Sequence, residues 1–217
     1  MCAMSSSQVP AAEHYLRWFY DTGVWKRMHY RGVRILKLPS DLWNYQEIFT
    51  EQRIEWVLET GTRHGGSALF FADLLRANRA PGRVISVDVD AASNAVRADE
   101  RIDFLIGDSG SREIAQRVAG MLPAARGALF MILDADHARA HVLRELEVLV
   151  PLLRKGDYLV VEDSCVNGHP VRPDFGPGPY EAIVEFLAAQ PGVLEPDAAR
   201  EAKFGATFSP RGYFRKS

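Results

Sequence analysis

Apolar residues recur in this chain as short continuous runs separated by longer stretches of helical periodicity. The runs cover residues 56–59, 84–88, 102–106, 128–133 and 158–161. Each is short, largely apolar and bounded by turn formers or acids, so each reads as a buried strand. Between them, residues 68–79, 111–121, 138–153 and 180–189 carry the spacing of amphipathic helices. Strands alternating with helices predict a parallel, doubly wound α/β sheet. Residues 204–215 read as two short strands around Ser209-Pro210-Arg211-Gly212, a hairpin whose last strand runs against the sheet. Upstream, residues 11–31 form one or two aromatic helices broken near Gly23, and residues 41–52 form another. We expect residues 1–52 to be a helical layer or lid within the same domain as residues 53–217. Its aromatic content also suits a contact between subunits, hence a homo-oligomer.

The run Trp56-Val57-Leu58-Glu59 leads into Thr60-Gly61-Thr62-Arg63-His64-Gly65-Gly66-Ser67, the turn around which the chain is organised. Gly61 lets the chain turn sharply, Gly65 and Gly66 admit close approach of a ligand, and Ser67 is placed to cap the next helix. The spacing is neither G-x-G-x-x-G nor a P-loop, so a dinucleotide or a nucleoside triphosphate is disfavoured. Glu59 fits a cationic ligand better than a phosphate. His64 lies in the turn and is placed to contact that ligand. Asp88, at the end of the second run, is placed for ribose hydroxyls.

Composition narrows the partners. The 217 residues carry a net charge of −2, which gives no support to a nucleic-acid or anionic-membrane partner. The two cysteines, Cys2 and Cys165, have no paired spacing, which suits a reducing compartment. The polar residues 1–10 lack a signal-peptide core, and no apolar run spans a bilayer, so the expected location is cytoplasmic.

Acids close most of the strands: Glu59, Asp88, Asp108, Asp134 and Glu162-Asp163. In a parallel sheet these ends share one rim, and so many carboxylates on one rim call for cations. An organic sulfonium and a hard metal ion both answer. Asp134, Glu162 and Asp163 offer oxygen only, which suits Mg²⁺ or Ca²⁺. His137, three residues past Asp134, is a candidate general base for a substrate hydroxyl, with Asp136 competing. His141 lies four residues beyond His137 without a third nitrogen or sulfur ligand for zinc, and His169 is a candidate for the acceptor side.

Three segments together resemble the cephalosporin hydroxylase family of S-adenosylmethionine-dependent O-methyltransferases. They are Leu58-Glu59-Thr60-Gly61-Thr62-Arg63-His64-Gly65-Gly66-Ser67, Leu133-Asp134-Ala135-Asp136-His137, and Val161-Glu162-Asp163-Ser164-Cys165-Val166-Asn167-Gly168-His169-Pro170. The likeness extends to Gly32-Val33-Arg34-Ile35-Leu36-Lys37, Asp41-Leu42-Trp43-Asn44-Tyr45-Gln46, Gly176-Pro177-Gly178-Pro179 and Lys203-Phe204-Gly205-Ala206-Thr207-Phe208. It implies the Rossmann-like class I methyltransferase sheet, seven strands with the last antiparallel, flanked by helices. It implies S-adenosylmethionine, with Glu59, Gly61 and Gly65 along the methionine, Asp88 on the ribose and Asp108-Ser109 at the adenine. Asp134, Glu162 and Asp163 match the metal acids of divalent-metal relatives. Where catechol-type relatives carry a lysine base, this chain has His137. The implied reaction is Mg-dependent methylation of a hydroxyl on a sugar or natural product. The alternatives are a non-catalytic cofactor-binding partner subunit and a non-methylating S-adenosylmethionine enzyme.

Overall fold

The structure, a computed structural model, describes residues 10–217. The N-terminal stretch read for a signal peptide lies outside the described residues apart from Pro10. Helix α1 (Ala11–Asp21) and a 3-10 turn at Val24–Arg27 flank Gly23, where the break was expected. A small hairpin follows, β1 (His29–Tyr30) on β2 (Val33–Arg34). Two-residue strands leave no periodicity to read, and the sequence pattern missed them. Helix α2 (Pro39–Glu51) then leads into β3 (Ile54–Thr60), α3 (Gly66–Ala77), β4 (Val84–Asp88), β5 (Ile102–Ile106) and α4 (Arg112–Met121). The chain continues through β6 (Ala128–Leu133), α5 (Arg139–Leu149), β7 (Tyr158–Val161), α6 (Pro179–Ala189), β8 (Leu194–Pro196), α7 (Ala198–Ala202) and β9 (Tyr213–Lys216).

Seven strands form one sheet in the order β5-β4-β3-β6-β7-β9-β8. The first five are parallel, and β9 runs antiparallel between β7 and β8. Alternation along the strands divides the core in two. Val57, Phe130 and Ile132 face α2 and α3, packing with Tyr45, Phe49 and Phe71. Leu58, Leu129, Met131 and Leu133 face α4, α5 and α6, packing with Val118, Leu146 and Phe186. Helix α2 is thus part of the main core. Helix α1 instead packs Leu16 and Phe19 with Leu38, Val166, Val171 and Phe208 in a third cluster.

The register positions the rim. Thr60 pairs with both Val87 and Leu133, and Leu133 pairs with Val161. The next residues, Gly61, Asp88, Asp134 and Glu162, therefore stand side by side. The order in which the chain adds strands switches sides between β3 and β6, the usual place for a ligand crevice in such folds.

Two expectations are corrected. The strand before the tail turn is absent: residues 204–209 form no strand, and β9 pairs instead with Leu194–Pro196. The tail backbone is claimed elsewhere. Asp41 accepts from the Phe208 N–H (2.8 Å) and the Thr207 hydroxyl (2.6 Å), and Ser40 donates to the Ala206 carbonyl. Helix α3 starts two residues earlier than read, with Gly65 as its N-cap and no side-chain cap, so Ser67 lies inside the first turn. No helix among the described residues is long and apolar enough to cross a membrane.

Candidate active site at the strand ends

A cavity of about 490 Å³ opens over the ends of β3, β4, β6 and β7. Gly61, His64, Gly66, Ser67, Asp88, Asp134, His137 and Asp163 all line it. Gly61, with φ +85°, is obligatory, because a Cβ there would lie 1.9 Å from the Asp134 carbonyl oxygen. The turn after β3 therefore touches the end of β6. The Gly65-Gly66 pair makes room chiefly for the chain itself: a Cβ on Gly66 would lie 2.0 Å from the Arg34 carbonyl, and one on Gly65 would meet Asn94. Gly66 still forms part of the cavity wall, whereas Gly65 does not.

Asp88 accepts the backbone N–H of Arg63 (2.8 Å) and of Asp90 (2.9 Å), which fixes its carboxylate at the wall. Glu59 is fully buried beneath the floor rather than on the wall. Its Oε2 accepts from Ser86 (2.6 Å), while Oε1 has no partner. Burial pushes its carboxyl up to about 7, against the pull of Lys37. Asp108 and Ser109 stand beyond β4 and do not line this cavity; the Ser109 hydroxyl meets His141 instead (3.2 Å).

Asp134, His137 and Asp163 converge. One donor atom from each lies within 4.8 Å of the other two, a spacing that can hold a metal ion. Asp163, the second residue after β7, adopts φ +52°, sparsely populated for a residue with a side chain. His137 Nε2 lies 3.0 Å from Asp163 Oδ2. Desolvation works against the imidazolium, but Asp163 and Asp134 outweigh it and raise the His137 pKa above its ordinary value. Asp136, the rival base, is exposed, accepts the Ala138 N–H (2.9 Å) and lies off the cavity wall.

Glu162 does not join this trio. Its oxygens are engaged by Lys37 and by the Tyr45 hydroxyl. Lys37 also bonds Asp134, so one buried ammonium bridges the ends of β6 and β7. Desolvation alone would strip that ammonium of its proton; Asp134, Glu162 and Glu59 outweigh it and hold its pKa well above the ordinary value. Burial pushes Glu162 up to about 7 even so. Lys37 and Tyr45 were given no role from the sequence. The available signal was a lone lysine in the apolar segment Ile35-Leu36-Lys37-Leu38, since a buried charge needs partners. His141 faces Ser109, Arg144 and Glu145, away from His137. His169 meets Glu181 (2.9 Å) and stacks on Tyr180, so it anchors its loop and is not on the cavity wall.

A seven-stranded sheet with one antiparallel strand inserted next to its edge, and a glycine turn and acids at the switch point, defines the class I methyltransferase fold. A family model described as Rhamnosyl O-methyltransferase/CmcI matches residues 22–217, and the chain belongs to that family. Rhamnosyl O-methyltransferases of Mycobacterium tuberculosis and Mycobacterium leprae are each 46% identical to it, over 93% of this chain and 83% and 89% of theirs. A solved CmcI structure in a Mg-SAM form is 26% identical, covers 88% of this chain and 77% of that chain, and superposes with a TM-score of 0.71.

Proposed function

We propose that the protein is an S-adenosylmethionine-dependent O-methyltransferase that uses a divalent metal and methylates a hydroxyl of a sugar or glycoside. The convergence of Asp134, His137 and Asp163 in the cavity that also holds Gly61 and Asp88 carries this reading. Its relatives are named for rhamnosyl O-methylation, and one neighbour is described with magnesium and S-adenosylmethionine. Both groups fit the residues present. The oxygens of Asp134 and Asp163 suit a hard cation. The Asp88 carboxylate, fixed at the cavity wall by the Arg63 and Asp90 N–H groups, suits the ribose hydroxyls of the cofactor.

Asp88 would hold the ribose, and the Gly61–Ser67 turn would line the methionine end. Asp134 and Asp163 would hold the metal; Glu162 reaches it only if Lys37 gives way. When bound, the metal lowers the pKa of a coordinated hydroxyl, and the sulfonium supplies the methyl group. His137 would take the hydroxyl proton at Nε2 once a cation on Asp163 draws away the carboxylate that now faces this nitrogen and favours a proton on it. Holding acceptor and donor in one cavity orients them for transfer, which supplies much of the rate. We also read the protein as cytoplasmic and self-associating.

Calorimetry with S-adenosylhomocysteine should show binding that Asp88→Ala weakens. His137→Ala should leave that binding intact and lower kcat by about a hundredfold or more. Chelation should abolish turnover. No binding at millimolar ligand, or full turnover in chelator, overturns the reading.

A further inference from the structure

The cavity has a second half that the cofactor and metal residues leave unused. One wall comes from the N-terminal layer: Tyr20 and Trp25, ring centroids 5.5 Å apart and stacked at 29°. The Trp25 Nε1–H donates to the Tyr20 carbonyl (3.1 Å), which locks the pair. The facing wall comes from the loop after β7: Arg172 and Phe175. The Arg172 guanidinium sits 5.1 Å from the Phe175 ring centroid, and both line the same cavity as Tyr20 and Trp25. Arg172 holds φ +49°, a backbone state that costs a residue with a side chain free energy. The loop is braced from behind, because Glu181 ties down His169, Asn167 and the Gly178 N–H.

We propose that Trp25 and Arg172 select the acceptor in this half, favouring a pyranoside over a planar phenol; the proposal rests on the methyltransferase reading of the same cavity. The C–H face of a pyranose is apolar and packs on aromatic rings. Its adjacent hydroxyls need a donor fork, which a guanidinium presents and an ammonium does not. A planar phenol would use the aromatic rings but leave the fork unmatched. Lys26, exposed and 5.0 Å from the Trp25 ring centroid, can exchange that contact for a sugar oxygen. The acceptor hydroxyl then points down to His137 and Asp163, which line the same cavity.

The test is saturation-transfer NMR of methyl α-L-rhamnopyranoside, and of catechol for comparison, on the full chain loaded with S-adenosylhomocysteine and Mg²⁺. The ring C–H protons of the rhamnoside should receive saturation. Trp25→Ala should weaken the sugar by about three- to tenfold, the scale of an aromatic contact. Trp25→Tyr should retain most of the affinity, and Arg172→Lys should lose it as Arg172→Ala does. S-adenosylhomocysteine affinity, measured on every variant, should stay at its original value and so certify folding. Three results overturn the proposal: no transfer to the rhamnoside, catechol binding more tightly than the rhamnoside, or sugar affinity untouched by both substitutions. If S-adenosylhomocysteine itself fails to bind the unaltered chain, the methyltransferase reading falls first and takes this one with it.

Discussion

Lys37 decides how the acidic rim survives folding. Asp134 and Glu162 are brought together by strand register, and the ammonium between them replaces the water they lose. Lys37→Met removes that charge and leaves two buried carboxylates facing each other. The expected cost is about 3–5 kcal/mol, the usual range when one member of a buried pair is deleted. Mg²⁺ should raise the melting temperature of the variant more than that of the parent, because a cation can take over the vacated role; equal shifts would show that the metal and Lys37 do not share the acids. At this scale the sequence was legible where one residue type carries one kind of chemistry. Asp88, Asp134, Asp163 and His137 all reach the cavity wall. It was not legible where partners come from distant segments. Glu162 and Lys37 are 125 positions apart, and neither pattern nor spacing announces their contact. Asp136 and His137 are neighbours in sequence, yet a turn sends one to solvent and the other into the site.

Among the elements, α2 and the tail before β9 behave as one unit joined through Asp41. Its carboxylate, buried and bonded to Thr207, Phe208 and Tyr213, is pushed by desolvation up to about 7 from an ordinary 3.8, despite those hydrogen bonds. The folded state thus holds a proton that the unfolded state releases near pH 4. This contribution to stability is fully present below about pH 4 and is lost as pH rises toward about 7. The melting temperature should therefore fall between about pH 4 and 7, and Asp41→Asn should make the decline shallower. Each kcal/mol corresponds to about 2–4 °C in a chain of this size. A parallel pH dependence in the variant would remove Asp41 as the cause. This junction also explains what the pattern of residues 204–209 concealed. Phe204 and Phe208 among small residues just before a turn look like a strand, but a carboxylate from α2 competes successfully for the backbone. The true partner, Leu194–Pro196, is three residues long, ends in Pro and carries almost no periodic signal.

For the whole molecule, the parallel sheet and its helices were readable because buried strands and amphipathic helices differ in period. What the pattern could not supply was the outward face of the N-terminal layer. Tyr15, Trp18 and Trp43 remain 43%, 54% and 58% exposed, a large share for aromatic rings. We expect light scattering to show a dimer or larger assembly that Trp18→Glu disrupts; a monomer at every concentration would leave these rings to another role. The insertion of β9 next to the edge has a further consequence for synthesis. Strand β7 has no neighbour on its far side until Tyr213–Lys216 arrives, although β3 to β7 are made well before it. A nascent chain therefore leaves Tyr158-Leu159-Val160-Val161 as a raw edge, an aggregation-prone template until its last strand docks.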